Sequence, residues 1–188
     1  LGPAALTLAN AYLDRVDLLD LAQAELRELS RLSGETATFS VRHGWSRVYV
    51  AQIVPEREVR MEVAIGRPFP LHAGSSSKAF LAFLSEDEQD QYLAQPSLEV
   101  LTPNTLVDPA ALRTELAGIR ERGYSQSLGE RQSGAASIAA PIFDHGARPV
   151  GAVSVCGPIE RFAPSVDTLS AHLLAATRRI SRSLGSRP

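Results

Sequence analysis

Two periods of apolar residues alternate along this chain, and each marks a different kind of element. Leu6, Ala9 and Leu13 recur at spacings of three and four, which predicts a mildly amphipathic helix over residues 4–14. Asp17 reads as the N-cap of a second helix, with Leu19, Ala22, Leu26, Leu29 and Leu32 as its apolar stripe and Gly34 as its left-handed stop. The period then falls to two. Ala37, Phe39 and Val41 alternate with Thr38, Ser40 and Arg42, His43-Gly44-Trp45-Ser46 turns the chain, and a β-rich run follows from Val48 to Val54, together an antiparallel hairpin. A third short strand is expected at about 59–64, and Gly66-Arg67-Pro68-Phe69-Pro70 reads as an irregular loop.

Helical spacing returns at 76–84, directly after Gly74-Ser75-Ser76-Ser77, and Ser85-Glu86-Asp87-Glu88 has the form of a capping box opening a helix to about Gln95. Asp108-Pro109 supplies an N-cap and a proline at the first helical position, Leu112, Leu116 and Ile119 the stripe, and Gly123 the end. Strands at about 134–143 and 148–157 flank a turn, and a last helix begins at Pro164 with Val166, Leu169, Leu173, Ala176 and Ile180 on one side. Strands at hairpin spacing interrupted by helices predict an α+β domain on an antiparallel sheet.

Composition narrows the function. With 44% hydrophobic and 21% charged residues in 188, the chain is one ordinary folded domain rather than a disordered tract or a rod. Nineteen Lys and Arg against twenty-one Asp and Glu give a net charge of -2, which excludes the basic surface by which a domain grips DNA on its own. The single cysteine, Cys156, excludes an intramolecular disulfide, the scattered histidines offer no zinc pattern, and a reducing cytoplasm fits both. Asn10 and Asp14 interrupt the apolar start before it could be a signal peptide or membrane span, so no membrane partner is expected. The chain opens on Leu1 rather than Met, and a longer protein with a further N-terminal part is the expectation.

Candidate chemistry concentrates in two places. Gly74-Ser75-Ser76-Ser77-Lys78 puts backbone N–H groups, hydroxyls and a helix N-terminus together, a setting for a carboxylate or phosphate to which Lys78 would add charge. A plain helix cap by Ser75 or Ser76 uses the same residues. Ser75 and Lys78 also have the spacing of the nucleophile and base of penicillin-binding proteins and serine β-lactamases, but the companion Ser-Asp-Asn and Lys-Thr-Gly motifs are absent. The second place is the 148–157 strand, where Ala152, Ser154 and Cys156 oppose Val153 and Val155, and its neighbour, where Ser137 and Ala139 oppose Ile138, Ala140 and Ile142. This small, polar face is either the floor of a ligand pocket or a surface packed beneath a helix. Of His43, His72, His145 and His172 only His72 adjoins the serine loop and is a candidate ligand contact. No cation neighbours Cys156 in sequence to activate its thiol. Arg178, Arg179 and Arg182 suit the last turns of a helix, where cations complement the dipole. No phosphate-binding, dinucleotide or metalloprotease motif occurs, so no cofactor, metal or catalytic residue is assigned.

Three segments taken together resemble one family. Gly66-Arg67-Pro68-Phe69-Pro70-Leu71-His72-Ala73 runs into Lys78-Ala79-Phe80-Leu81-Ala82; Arg122-Gly123-Tyr124 leads to Glu130; and Ile138-Ala139-Ala140-Pro141-Ile142-Phe143-Asp144 leads to Ser154-Val155-Cys156-Gly157-Pro158. In this order they are similar to the effector-binding domain of IclR-family bacterial transcriptional regulators. The resemblance implies a GAF-like fold, a curved antiparallel sheet flanked by helices, and no enzymatic activity. It divides the chain into a linker helix at 1–15, following a missing winged helix-turn-helix domain, and an effector-binding and oligomerisation domain at 16–188. The partners it implies are a small aliphatic or aromatic carboxylate effector, further copies in a homodimer or homotetramer, and promoter DNA through the missing domain only. Carried over by position, Ser75, Ser76, Ser127, Ser137, Ser154 and Cys156 line the effector pocket, with Gly74 and His72 beside them. Family members commonly have threonine, alanine and glycine where this chain has Gly74-Ser75-Ser76-Ser77, so the pocket is unusually rich in hydroxyls. The alternatives are a serine-lysine hydrolase using Ser75 and Lys78, and a ligand-free oligomerisation module.

Overall fold

The computed structural model describes residues 3–186, with side chains from Leu18 onward except Ala163; the Leu6, Ala9 and Leu13 stripe lies outside those described side chains. In chain order the elements are α1 (Pro3–Ser33), β1 (Thr36–His43), β2 (Ser46–Ile53), β3 (Pro68–Pro70), α2 (Ser75–Ala82), α3 (Glu86–Leu93) and α4 (Pro109–Arg122). They continue as β4 (Ser125–Leu128), β5 (Ala135–Phe143), β6 (Pro149–Pro158), α5 (Ile159–Phe162), a 3-10 turn (Ala163–Ser165) and α6 (Val166–Ser183). The strands form one antiparallel sheet in the order β3-β2-β1-β6-β5-β4. The α+β class and the sheet flanked by helices stand as expected.

Strand alternation sorts the two faces. Ile138, Ala140, Ile142, Val153 and Val155 pack against Ala22, Leu26 and Leu29 of α1 and Leu169, Leu173 and Ile180 of α6. Each fully buried leucine or isoleucine contributes roughly 1.5–3 kcal/mol, so this face anchors the domain. On the opposite face Phe80 and Leu81 of α2 meet Leu112, Leu116 and Ile119 of α4, with Tyr92 of α3 and Ala152 of β6. Local signals hold where they were strongest: Ser85 and Glu88 form the capping box, Asp108 accepts from the Ala111 N–H, and Gly34 and Gly123 stand at φ 63° and 80°.

Four readings change. The two N-terminal helices are one, with Asp17 inside it, because no glycine or proline lies between Pro3 and Gly34 and a good capping residue does not by itself stop a helix. Residues 59–64 form no strand: Gln52 bonds the N–H and C=O of Val63 through its side chain, and Thr36 donates to the Met61 carbonyl, so side chains hold the segment where a ladder was expected. The strand next to β2 is instead β3, within the stretch read as a loop; Pro68 and Pro70 carry no N–H, which suits the edge it occupies. The last helix begins at Val166, after α5 and the 3-10 turn.

Candidate functional site

A layer of small polar side chains lies between the sheet and α2. Register aligns Thr38, Ser154, Ala139 and Ser125 across β1, β6, β5 and β4, and Thr36, Cys156, Ser137 and Ser127 in the next row. Every residue of α2, three serines and a lysine included, is buried above them. Ser75 Oγ donates to Ser137 Oγ at 2.7 Å, and the Thr38 and Ser154 hydroxyls meet at 2.6 Å. The hydroxyls of Ser76 and Ser125 are buried with no partner. Gly74, at φ 88°, is the N-cap and no side chain caps the helix, so its serines face the sheet instead of closing its own end.

Gly74, Ser75, Ser127, Ser137 and Cys156 converge on one cavity, joined by Tyr49, Met61 and Arg131. Its volume is about 20 Å³, enough for one water molecule. Three expected contacts stand away from that wall. Ser154 is engaged with Thr38, Ser76 lies buried in the layer, and both ring nitrogens of His72 are occupied, Nδ1 by the Tyr92 hydroxyl at 2.8 Å and Nε2 by the Glu99 carbonyl at 2.9 Å. His43, His145 and His172 are exposed.

Burial lowers the His72 pKa from its ordinary 6.5. The unfolded chain therefore takes up a proton more readily than the folded one, so the His72 contribution is intact above pH 6.5 and is lost as pH falls from there through the folded value. A urea midpoint that falls between pH 7.5 and 5.5, with the fall reduced in His72→Gln, is the expected result.

Lys78 does not serve as a free cation. Its Nζ donates to Glu115 Oε1 at 3.0 Å and to Glu130 Oε1 at 2.6 Å, and Glu130 Oε2 accepts the Gly74 N–H at 3.1 Å. The chain's own carboxylates thus meet both the lysine and the first N–H of the serine loop, which corrects the expectation that Lys78 adds charge for a ligand. Lys78 Nζ is thus directed at two carboxylates and makes no bond to Ser75, whose hydroxyl is turned to Ser137, so the nucleophile-base contact of a serine-lysine hydrolase is absent. Burial also pushes the Cys156 thiol up to about 12, far from a reactive thiolate.

Two arginines that the sequence reading passed over hold the unbalanced charge. Arg47, on β2, is 1% exposed; its guanidinium carbon sits 3.7 Å from the Tyr49 ring centroid and 4.9 Å from that of Phe69. Its Nε donates to Ser77 Oγ at 3.2 Å, and its Nη1 has no partner. Arg131, half-buried, lies 4.9 Å from the same Phe69 ring. Among the described residues neither arginine forms an ion pair. Burial pushes the Arg47 guanidinium below its ordinary range, and the nearby Arg131 charge acts in the same direction. The available signal is an arginine directly before the β-rich run Val48-Tyr49-Val50.

Among the described residues no cluster of His, Cys, Asp and Glu could hold a metal ion, and no helix is long and apolar enough to cross a membrane. A family model described as bacterial transcriptional regulator IclR, C-terminal, matches residues 10–182. The HTH-type transcriptional repressor AllR of Escherichia coli K12 is 34% identical over 98% of this chain and 69% of its own length. The HTH-type transcriptional regulator KipR of Bacillus subtilis is 32% identical over 98% of this chain and 74% of its own. The crystal structure of Thermotoga maritima IclR superposes with a TM-score of 0.86 at 32% identity, over 98% of this chain and 75% of that one. The C-terminal domain of Escherichia coli KdgR gives 0.80 at 32% identity, over 90% and 99%. These relatives are transcription regulators rather than enzymes, and the chain belongs to the IclR family as its C-terminal, effector-binding domain.

Proposed function

We propose that this domain senses a small organic carboxylate bound in the layer between α2 and the sheet. The observation that supports this reading is a pair of cations without a carboxylate among the described residues: Arg131, in the cavity wall with Ser75, Ser127 and Ser137, and Arg47, stacked on the wall residue Tyr49 and bonded to Ser77. A carboxylate is a planar, two-oxygen anion that matches the fork of a guanidinium group. The cavity is water-sized when closed, so entry requires Met61 and Arg131, two long half-buried side chains of its wall, to swing aside. Ser154 then acts behind the contact surface by tying β6 to Thr38 of β1, and His72 by fixing the approach to α2 against Tyr92 and Glu99.

Binding shifts the populations of two subunit arrangements in a homodimer or homotetramer, and α1 carries the change toward an N-terminal DNA-reading domain that alters its hold on promoter DNA. Such a shift can only be as large as the effector's differential affinity for the two states. In a thermal-shift screen of small aliphatic and aromatic acids, the effector at one hundred times its Kd stabilises the domain by about 2.7 kcal/mol. Arg131→Ala removes that stabilisation, and the matching carboxamide gives none. A shift that survives Arg131→Ala, or that the amide reproduces, overturns the reading.

A further inference from the structure

A separate cleft of about 490 Å³ opens between α4 and α6 at the far end of β5. Its floor is apolar: the Phe83 and Phe143 rings meet edge to face at 5.1 Å, with Pro141 and Leu174 beside them. Two of the three hydroxyls in the wall are already engaged, since Ser181 Oγ donates to the Thr177 carbonyl and accepts the Phe143 N–H, while Thr177 donates to Leu174; Ser186 is the third. The rim is cationic. Arg120 spends its guanidinium on the carbonyls of Ala82 and Leu84 at the end of α2, but Arg178 and Arg182 stand exposed one turn apart and form no ion pair among the described residues. Like charges at that helical spacing repel. Their neighbour Arg179 shows the contrast: it reaches a carboxylate, making a two-point bond to Glu25 of α1 at 2.7 and 2.6 Å.

We propose that this cleft is a second ligand site, taking an amphipathic carboxylate whose apolar body lies on Phe83, Phe143 and Leu174 while its carboxylate bridges Arg178 and Arg182. The volume is that of a small-molecule pocket and far exceeds the closed cavity under α2. An apolar body is favoured because Phe83, Pro141, Phe143 and Leu174 form the floor and two of the wall's three hydroxyls are already engaged. The site shares no lining residue with the cavity under α2, and it stands whether or not that cavity takes an effector.

Titration calorimetry of the 188-residue chain with 2-naphthoate tests it. Binding is expected, weakened at least tenfold by Arg178→Glu combined with Arg182→Glu and unchanged by Arg47→Met, with naphthalene-2-carboxamide binding at least tenfold more weakly than the acid. Both arginines are exposed, so the double variant keeps its fold, which its far-ultraviolet circular dichroism checks. No binding of 2-naphthoate, equal binding to the double variant or to the amide, or loss of binding in Arg47→Met each overturns the proposal; the last would place the acid in the buried cavity instead.

Discussion

Replacing Arg47 with methionine raises the melting temperature of the ligand-free domain by about 2–4 °C while abolishing its response to a carboxylate effector. Stabilisation is expected because the guanidinium is 1% exposed, lacks a carboxylate and leaves Nη1 unbonded. Leaving such a donor unsatisfied costs about 1–3 kcal/mol or more. Stacking on Tyr49 and Phe69 returns part of this, up to about 2 kcal/mol where the cation is desolvated. Methionine keeps an unbranched apolar stem between the two rings and removes the charge. A net gain of about 1 kcal/mol gives the quoted shift for a domain of this size. Opposite changes in stability and function are the signature of a residue kept for its ligand. If Arg47→Met instead melts well below the parent, the guanidinium is already satisfied in the free protein and the argument for an anion loses its footing.

Lys78→Met has the opposite sign and a larger size: a loss of about 3–5 kcal/mol, measured by urea denaturation. The substitution leaves Glu130 facing α2 with only the Gly74 N–H, and takes from Glu115 one of its two cationic partners, the other being Arg122 at 2.8 Å. Breaking a buried pair from one side strands a charge. Removing both sides is gentler, so Lys78→Met with Glu130→Gln should recover more than 1 kcal/mol of the loss in a double-mutant cycle. Additive losses would show that the three groups act separately and that the network does not bind α2 to the 128–131 segment.

The legible parts of this fold are those set by a few adjacent residues. Ser85 through Glu88, Asp108-Pro109 and Gly123 fix helix ends by contacts within one turn, and the alternation of Val153 and Val155 with Ser154 and Cys156 sorts the sheet faces without reference to any partner. β4 escaped because Ser-Gln-Ser-Leu carries no β-branched residue and depends on β5 for its ladder. The failure at Arg47 follows from a failure elsewhere. Its register partner is Phe69, and once Pro68-Phe69-Pro70 is read as a loop the ring that stacks on the guanidinium disappears from view. Lys78 was misjudged for the same kind of reason, since its two carboxylates lie 37 and 52 residues away in sequence. Ser137 and Ser154 are legible on one sheet face because a strand's period is visible locally, whereas the charges around them are balanced only across the folded domain.

The uninterrupted α1 gives the domain a mechanical advantage. The thirty-one residues from Pro3 to Ser33 span about 46 Å at the rise of an α-helix. A rod of that length converts a tilt of about 5° into a relative displacement of about 4 Å between its ends. A hinge at Asp17 would have absorbed such a tilt. A continuous hydrogen-bonded helix transmits it from end to end, and the displacement grows with the length of the rod.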